Sequence, residues 1–536
     1  MQYFVSYWQI IFVITFFLLT LFPTLLSALT LKKNKNVKHN CSPLPQPRGA
    51  LPFIGHLHLL GGKQTIARTL GAMADECGPI YLLRLGQQQA VVLCSWEMIK
   101  DCFTNNDAVT ATRPNMAFSK HVAYDYASFA ISPYGKYWRD IRKISTVELL
   151  SKKRLEQMKH VRNAEINSFI KYLFKKCQKH VEHNTLQSGV ISLCKWFEYN
   201  SFNIVIRMIV GKTFSPDAYE KNGTLPSQFK KLIGKATYVA GVAIPSDFVT
   251  WLEWFDFVGY IKCMKDVHKG IDMIIGQWVD EHIQRRKEQE NVTYEDGDFM
   301  DVLLSNIGEG CIMSGYTREV VIKATSLILL LTGSESTSIT LTWVVSLLLN
   351  HPEALKKAQE ELDHIVGKER WVEESDTPNL PYLRAIVMET LRLYPPSPLA
   401  GPREASEDCY IDGHLIPKGT RIIVDIWKIH RDPRVWSRPN DFRPERFLVE
   451  NTSIDYKGVC FEYIPFSLGR RACPGMTFGL QVVHLTLARL IQGFDIRAEK
   501  RGPIDMSEAL GLAMPRKSPL HAILATRMPV EMYDAL

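Results

Sequence analysis

Apolar positions along the chain follow mainly a helical spacing. Four long stretches place apolar residues three and four positions apart, which predicts amphipathic or buried helices. These stretches span residues 154–177, 267–286, 318–350 and 353–366. Shorter runs rich in β-branched residues predict strands, at residues 80–85, 90–93 and 421–424. We therefore predict a mainly α fold with a small β-rich region.

The first 31 residues form an uncharged apolar segment. Residues 1–31 contain no Lys, Arg, Asp or Glu, and a helix needs about 20 apolar residues to cross a bilayer. A cleaved signal peptide is the alternative, but such a peptide starts with basic residues and has a shorter apolar core. Here the basic residues come after the run, at Lys32, Lys33, Lys35 and Lys38. This order predicts a transmembrane anchor with the rest of the chain in the cytosol.

A basic and proline-rich hinge, residues 32–52, follows the predicted anchor. Prolines at this density favour an extended chain, which would hold a folded body at a fixed distance from a membrane. Beyond the hinge we find no internal repeat. A single large catalytic domain over residues 53–536 is the simplest interpretation.

Composition narrows the class of protein. The 536 residues are 46% hydrophobic, which is enough for a large buried core. The formal charge of +8 includes the four hinge lysines, so the nearly neutral body gives no indication of nucleic-acid binding. The eleven cysteines are an odd number and form no C-x-x-C pair. This pattern argues against a disulfide scaffold and against a zinc site.

One cysteine, Cys473, lies in an unusual local sequence, FSLGRRACPG at residues 466–475. Pro474 and the amphipathic run after it predict a helix that begins at the cysteine. The free N–H groups at a helix N-terminus favour a thiolate over a thiol. The neighbouring glycines would let a flat group approach the backbone, and the arginines could bind carboxylates. The alternative is an ordinary buried cysteine.

This stretch resembles the heme-binding signature of the cytochrome P450 monooxygenases, which has the form F-x-x-G-x-R-x-C-x-G. Three further segments resemble family motifs and occur in the family's order: Trp138-x-x-x-Arg142, Glu389-x-x-Arg392 and the segment Phe442–Phe447 containing Arg446. Taken alone, E-x-x-R could be an exposed helical ion pair. The four motifs together imply a cytochrome P450 fold, here preceded by a transmembrane helix.

The resemblance implies a cofactor and the residues that hold it. In the family the cysteine thiolate is the axial ligand of the iron of heme b, which gives Cys473 that role here. Glu389, Arg392 and Arg446 match a buried network that supports the cysteine loop. The other positions that match heme-binding residues of the family are Trp138, Arg142, Arg403, Phe466, Arg471 and Gly475.

The predicted helix 318–350 has a polar interruption at residues 332–338, TGSESTS. A second transmembrane span is the alternative, but a glutamate at its centre would be costly. The interruption resembles the family's oxygen-activating segment, and we expect Gly333 to allow both close approach to the helix and local opening of its backbone. Glu335 takes the acid position, Ser336 replaces the usual threonine, and Thr337 follows it. Thr332 stands where Gly or Ala is usual, which should narrow the substrate space.

By family position, a largely apolar substrate pocket is expected. Its predicted residues are Tyr124, Phe129, Thr332, Leu399 and Met514, although the same side chains would suit an ordinary core. Phrases such as LYPPSP at residues 393–398 resemble plant microsomal enzymes that act on specialised metabolites. An alkaloid is the first choice of substrate, and a flavonoid or terpenoid the second.

The resemblance also implies partners and a location. Enzymes of this type use NADPH and O2, receive electrons from a membrane-bound NADPH–cytochrome reductase, and lie in the endoplasmic reticulum membrane. Lys136, Arg139, Lys143 and Arg470 are candidate docking residues, with a solvated basic face as the alternative. Two other functional classes stay open: a heme-thiolate isomerase or dehydratase that needs no external O2, and a non-catalytic carrier of heme or lipophiles.

Overall fold

A computed structural model describes residues 43–536, except residues 63, 184–189, 243, 255, 257, 289–296, 457–459, 510 and 512. The predicted anchor and the first part of the hinge lie outside these residues. Within them, one helix is long and apolar enough to cross a membrane, Arg318–Asn350. Most of this helix is buried inside the protein. It is therefore a core helix, as the polar interruption in its sequence indicated.

Helices make up most of the described chain. In chain order they are α1 Ile66–Cys77, α2 Trp96–Asn105, α3 Ala117–His121, α4 Lys136–Ile144, α5 Lys152–Gln157, α6 Lys159–His183, α7 Leu193–Val210, α8 Pro216–Glu220, α9 Leu225–Gly241, α10 Tyr260–Glu288, α11 Phe299–Asn306, α12 Arg318–Asn350, α13 Pro352–Ile365, α14 Pro381–Leu393, α15 Ile426–Ile429, α16 Met476–Gly493 and α17 Val530–Asp534.

The strands are short, and most of them lie near the two ends of the chain, with three in its middle part. They are β1 Ile80–Leu85, β2 Gln88–Leu93, β3 Val190–Ser192, β4 Ile312–Met313, β5 Tyr316–Thr317, β6 Arg403–Glu404, β7 Cys409–Ile411, β8 His414–Ile416, β9 Arg421–Val424, β10 Phe494–Ala498 and β11 His521–Thr526. One sheet has the order β1-β2-β9-β6 and another β10-β11-β3. β2 and β9 pair in parallel, and the other pairs are antiparallel.

These elements confirm the predicted mainly α fold with a small β-rich region. The bounds of α12, β1 and β9 are those predicted. Thr317 caps the start of α12 because its side chain accepts a hydrogen bond from the Val320 N–H, and Pro352 opens the next helix. The predicted helix 154–177 is instead two helices, α5 and α6, separated at Met158.

The central helix α12 packs closely against α7. A Cβ at Gly333 would lie 3.3 Å from Cγ2 of Val205, so the glycine lets the two helices approach. α12 is an uninterrupted α-helix through residues 332–338. The expectation that Gly333 opens the helix locally is therefore wrong, because the glycine is used for packing.

The described part of the hinge packs against the first sheet. The Leu82 N–H donates to Pro45 O at 2.9 Å, and the His56 ring lies 3.0 Å from Pro47 O. Arg84 donates to Leu51 O at 2.8 Å. From residue 45 onward the hinge therefore lies on the surface of the folded body.

Candidate functional site

A buried cavity of about 380 Å³ lies between α12 and the loop that precedes α16. Glu335 and Ser336 contribute to one wall, and Phe466 and Cys473 to the opposite wall. The structure therefore brings together two motifs that are more than 130 residues apart in the sequence. Among the predicted site residues, those that line the cavity are Phe129, Thr332, Glu335, Ser336, Thr337, Phe466, Arg471, Cys473 and Gly475.

The cysteine loop is shaped by backbone contacts around Cys473. The Cys473 N–H donates to Phe466 O at 2.9 Å, and Gly469 has a positive φ of 66° that favours glycine. α16 begins at Met476 with Gly475 as its N-cap residue. The predicted helix therefore starts three residues after the cysteine. The cysteine approaches the helix through its sulfur, which receives a hydrogen bond from the Gly475 N–H.

Cys473 is open to the cavity but lies deep in the protein. This burial raises the pKa of its thiol, although the Gly475 N–H and the charge of Arg142 act in the opposite direction. The helix terminus therefore favours the thiolate, as expected, but its effect on the pKa is smaller than that of burial. A cation bound at the sulfur would be needed to stabilise the thiolate fully.

Four arginines whose charges act on one another form the basic cluster: Arg113, Arg142, Arg403 and Arg471. Two of them, Arg113 and Arg471, line the cavity. Burial lowers the pKa of Arg113 well below its usual range, and the charges of the other three lower it further. Asp107 is the acid nearest to any of them, with its Oδ1 3.5 Å from Nη1 of Arg403. The cluster is thus a buried positive region with little countercharge among the described residues.

Each predicted arginine of the cluster also holds the backbone. Arg142 donates to Ala472 O at 2.5 Å, and Arg403 donates to Leu468 O at 2.8 Å. Arg471 donates to three carbonyl oxygens, Ala111 O at 2.7 Å, Phe129 O at 3.1 Å and Ser132 O at 2.6 Å. Arg471 therefore links the cysteine loop to the segment that carries Phe129.

The residues around the cavity fit a heme. Nε1 of Trp138 is buried without a hydrogen-bond partner among the described residues, and so is Nε of Arg403. Buried donors of this kind normally have a partner, and the two propionates of a heme would supply carboxylate oxygens to them and to the basic cluster. The cavity walls are largely apolar, as a flat macrocycle requires.

The predicted network of Glu389, Arg392 and Arg446 is present and fully buried. Arg392 donates to both carboxylate oxygens of Glu389, at 2.7 and 2.9 Å. Nε of Arg446 lies 3.0 Å from Oε1 of the same carboxylate. The remaining arginine donors bind backbone carbonyls, such as Pro439 O at 2.7 Å. The geometry excludes the exposed ion pair that E-x-x-R would suggest in isolation.

His430 connects this network to the cysteine loop. Its Nδ1 lies 3.2 Å from Arg392 O, and its Nε2 accepts from the Ile464 N–H at 2.9 Å. Ile464 precedes Phe466, the first residue of the cysteine motif, by two positions. Burial, with smaller contributions from nearby arginine charges, lowers the pKa of His430 to about 3. The ring is therefore neutral, which lets Nε2 accept a hydrogen bond.

On the α12 wall, the hydroxyl groups bind their own helix. Thr332 donates to Ile328 O at 2.7 Å, Ser336 to Thr332 O at 2.8 Å and Thr337 to Gly333 O at 3.0 Å. The side chain of Ser336 is exposed to the cavity, whereas Thr337 is buried. A rotation about χ1 would let the Ser336 hydroxyl turn toward the cavity.

Glu335 is the one carboxyl group among the described residues that line the cavity. Burial raises its pKa to about 7, with a smaller contribution from the charge of Glu198. A carboxyl with this pKa can take up and release a proton near neutral pH.

Two of the five predicted pocket residues line the cavity, Phe129 and Thr332. The other three do not. Tyr124 points to α10, where its hydroxyl donates to Asp272 at 3.1 Å. Leu399 packs in the core around the first sheet. Met514 is buried, and it is the neighbouring Ala513 that reaches the cavity.

Several lining residues were not expected from the sequence. Arg113 lies in no motif, and Gly401 lets it approach, because a Cβ there would be 2.9 Å from its Nη2. Leu149 and Leu150 reach the wall through a π-helical turn that continues α4, and Met208 does so from α7. No local sequence signal marks these positions, because their place depends on how helices pack.

A buried cysteine that faces an acid and a hydroxyl across a basic, apolar-walled cavity defines the class of heme-thiolate enzymes. The chain belongs to the cytochrome P450 family, whose model matches residues 45–523. It is 45% identical over 495 residues to a dimethylnonatriene synthase of Arabidopsis thaliana, covering 92% of this chain and 93% of that protein. It is 42% identical over 503 residues to a strychnine-10-hydroxylase of Strychnos nux-vomica, covering 94% and 95%.

A solved structure shows the same fold. A zebra fish cytochrome P450, determined with progesterone, matches with a TM-score of 0.71 at 22% sequence identity. The match covers 86% of this chain and 99% of that one. The chain is thus a cytochrome P450 monooxygenase of the plant group that acts on specialised metabolites. The family uses heme with a cysteine thiolate ligand, and NADPH and O2 through a reductase.

Proposed function

We propose that this enzyme inserts one oxygen atom of O2 into a hydrophobic plant alkaloid, by hydroxylation or by oxidative N- or O-demethylation. The observation that carries the proposal is the placement of Cys473 opposite Glu335 and Ser336 in one cavity. In this assignment Cys473 is the iron ligand. When bound, heme b supplies the iron at which O2 is activated, and thiolate donation favours cleavage of the O–O bond.

The residues of the chain have separate roles in this proposal. The basic cluster and Trp138 bind the propionates and so fix the orientation of the macrocycle in the cavity. Phe466 and Gly475 form the wall beside the sulfur. Glu335 would take up a proton from solvent and donate it to Oγ of Ser336, while the Ser336 hydroxyl releases its own proton into the cavity. Thr337 holds the helix backbone beside it.

An alkaloid is favoured by Glu335, the one carboxyl group among the described residues of the lining. A cationic amine in the cavity would favour the ionised form of this carboxyl, whose pKa burial raises to about 7, and would find its countercharge there. The similarity to a strychnine-10-hydroxylase supports the same choice. A flavonoid or terpenoid is the second candidate, because the similarity to a dimethylnonatriene synthase is slightly higher and the walls are apolar.

Docking of the reductase is proposed on the exposed face of α4. Lys136, Arg139 and Lys143 are three and four residues apart and all exposed, so they share one face of the helix. Arg470 contributes less to this proposal than expected. Its guanidinium lies 3.2 Å from Asp107 and 3.0 Å from the hydroxyl of Tyr134, which reduces its free charge.

We further propose single-pass anchoring in the endoplasmic reticulum membrane, with the domain of residues 53–536 in the cytosol. Two large apolar side chains outside the core, Phe53 and Trp254, are exposed, and Trp254 is 91% exposed. Exposed apolar side chains of this size suit a surface that rests on lipid.

The decisive experiment measures ligation and turnover separately. The reduced protein should give the thiolate-type carbon monoxide difference spectrum, and Cys473→Ala should abolish it. Cys177→Ala, a change of another buried cysteine in α6, is the matched control and should retain the spectrum. A substrate panel in microsomes with reductase, read by mass spectrometry, then identifies the substrate class.

The remaining functional classes give different results in the same experiment. A heme-thiolate isomerase or dehydratase would show the spectrum and convert a substrate without taking up O2. A carrier would show the spectrum without any NADPH-dependent O2 uptake across the panel. Either outcome would replace the proposed monooxygenation of an alkaloid.

A further inference from the structure

The segment of residues 122–132 has an unusual backbone. Tyr124, Asp125 and Tyr126 have consecutive positive φ values of 56°, 47° and 69°. This left-handed region costs roughly 1 kcal/mol or more for each residue with a side chain. Three such residues in succession require contacts from the rest of the protein that hold them in place.

Contacts that hold these residues come from the helices α10 and α12. The hydroxyl of Tyr124 donates to Oδ1 of Asp272 on α10 at 3.1 Å, and Nζ of Lys323 on α12 lies 3.1 Å from the same oxygen. The ring of His268 packs edge-on against the Tyr124 ring at 4.7 Å. We name the set of Tyr124, Asp272 and Lys323 the latch.

The latch is a built arrangement of charges in which Lys323 is buried and the side chain of Asp272 is 38% exposed. Lys323 is 9% exposed, and a Cβ at Gly276 would lie 3.1 Å from its Nζ, so the glycine leaves room for the ammonium group. Glu319 lies 2.6 Å from the same Nζ. Burial and the Asp272 carboxylate both raise the pKa of Tyr124, so its hydroxyl remains a donor.

Beyond the latch, the segment forms part of the cavity wall. Oγ of Ser128 donates to Ala324 O at 3.1 Å, directly after Lys323 in α12. Phe129 lines the cavity, and its carbonyl accepts from Arg471 of the cysteine loop. The wall at Phe129 is therefore fixed at one end by the latch and at the other by Arg471.

We infer that the latch is a specificity-determining device: Tyr124, Asp272 and Lys323 position Phe129 and thereby set how a substrate lies in the cavity. Tyr124 is a positioning residue, because it touches neither the cavity nor the reacting atoms. The inference deepens the proposed oxidation and rests on it. Tyr124, which the sequence predicted to line the pocket, instead positions a residue that does line it.

The test compares Tyr124→Phe with Tyr126→Phe in the heme-loaded full chain. Both changes remove one hydroxyl from neighbouring left-handed tyrosines, but the Tyr126 hydroxyl makes no hydrogen bond to another described residue. Hydrogen–deuterium exchange of residues 122–132 should accelerate about tenfold in Tyr124→Phe alone, since a hydrogen bond to a charged group is lost.

The second readout uses two heme ligands of different size, imidazole and 4-phenylimidazole, titrated by absorbance. The small ligand should bind all variants equally, whereas the ratio of the two dissociation constants should change about threefold or more in Tyr124→Phe. Asp272→Asn keeps an acceptor oxygen for the Tyr124 hydroxyl, so it should lie closer to wild type than Tyr124→Phe in this ratio.

Contrary outcomes separate the latch from the proposed function. Wild-type exchange in Tyr124→Phe, or faster exchange with an unchanged ratio, would overturn the inference while leaving the oxidation intact. A wild-type protein that binds neither ligand would refute the heme assignment instead, and the exchange measurement would still judge the latch.

Discussion

Ser336 is one of two residues, with Thr332, at which the sequence predicts a departure from the family's oxygen-activating segment. Its hydroxyl lies at the cavity wall and donates to Thr332 O at 2.8 Å, beside a carboxyl with a pKa of about 7. Serine has no methyl group to restrict χ1, so its hydroxyl samples more orientations than that of threonine. We interpret Ser336 as a proton carrier with looser geometry than usual.

We predict that Ser336→Ala lowers the amount of product formed per NADPH consumed by about tenfold or more, because a proton-transfer group is lost. Ser336→Thr is the matched variant and should equal or exceed wild type, since it keeps the hydroxyl and restricts its rotamer. Product is measured by mass spectrometry and NADPH by absorbance. Equal coupling in Ser336→Ala and wild type would remove Ser336 from the proton path.

The sequence could identify site residues that belong to motifs but not those that depend on backbone direction. Cys473 and Glu335 line the cavity because fixed local spacing places them there. Tyr124 was predicted in the pocket, yet its left-handed backbone turns the side chain toward Asp272. Arg113 has no motif and reaches the basic cluster only because Gly401 leaves space for it.

At the scale of elements, the cysteine loop is joined to α14 by the neutral His430 and by Tyr463, whose hydroxyl donates to Met388 O at 2.8 Å. His430 connects Arg392 O to the Ile464 N–H. Its ring also stacks on Tyr463, with the centroids 5.2 Å apart. The buried Glu389 network therefore holds the loop indirectly, because His430 bonds both Arg392 of the network and Ile464 of the loop. Loss of the ring nitrogens would leave a backbone donor buried and unpaired.

We predict that His430→Phe keeps the ring volume but destabilises the protein by about 1–3 kcal/mol and promotes heme loss. His364→Phe, on the exposed side of α13, is the control and should change little. The effect is measured as the thermal midpoint and as the fraction that retains the thiolate-type carbon monoxide spectrum. An unchanged midpoint and spectrum would show that Tyr463 and its neighbours hold the loop without His430.

The pH dependence of this effect has a definite sign. The pKa of His430 is about 3 in the folded protein and near 6.5 in an unfolded chain. Below pH 6.5 the unfolded chain therefore binds a proton that the folded protein does not, and wild-type stability falls toward pH 3. The Phe variant has no histidine here that takes up a proton on unfolding. The difference in unfolding free energy between wild type and His430→Phe should therefore shrink as the pH is lowered from 7 to 5.

The elements themselves were predictable where their ends carry signals. α12 lies between a threonine cap and a proline, and its predicted bounds were right. The break at Met158 between α5 and α6 has no glycine or proline to mark it, so the sequence indicated one continuous helix. The π-helical turn after α4 likewise left no pattern, because it adds one residue without changing composition.

At the scale of the whole molecule, three exposed basic residues lie on the same helix as two of the proposed heme-binding residues. Lys136, Arg139 and Lys143 project from α4, the helix that also carries Trp138 and Arg142. A partner that docks on α4 would therefore be separated from the proposed heme edge only by this helix. This geometry suits transfer of electrons from an acidic flavoprotein.

We predict that the double substitution of Lys136→Glu and Lys143→Glu lowers reductase-supported turnover by about tenfold at low salt, because the steering charge is reversed. High salt should reduce wild-type turnover and affect the variant less. Turnover supported by an organic peroxide bypasses the reductase and should be the same in both proteins. Equal reductase-supported turnover in the wild type and the double variant would show that the reductase docks on another surface.

The parallel pairing of β2 with β9 has a consequence for how the chain folds during synthesis. The pairing joins Leu93 to Val424, more than 300 residues later. At a translation rate of about 5–20 residues per second, β2 waits roughly 15–65 seconds for its partner strand. During that interval its hydrophobic edge is unpaired and open to other chains. A ribosome-associated chaperone that covers residues 80–93 should therefore raise the yield of folded enzyme more than one that acts after release.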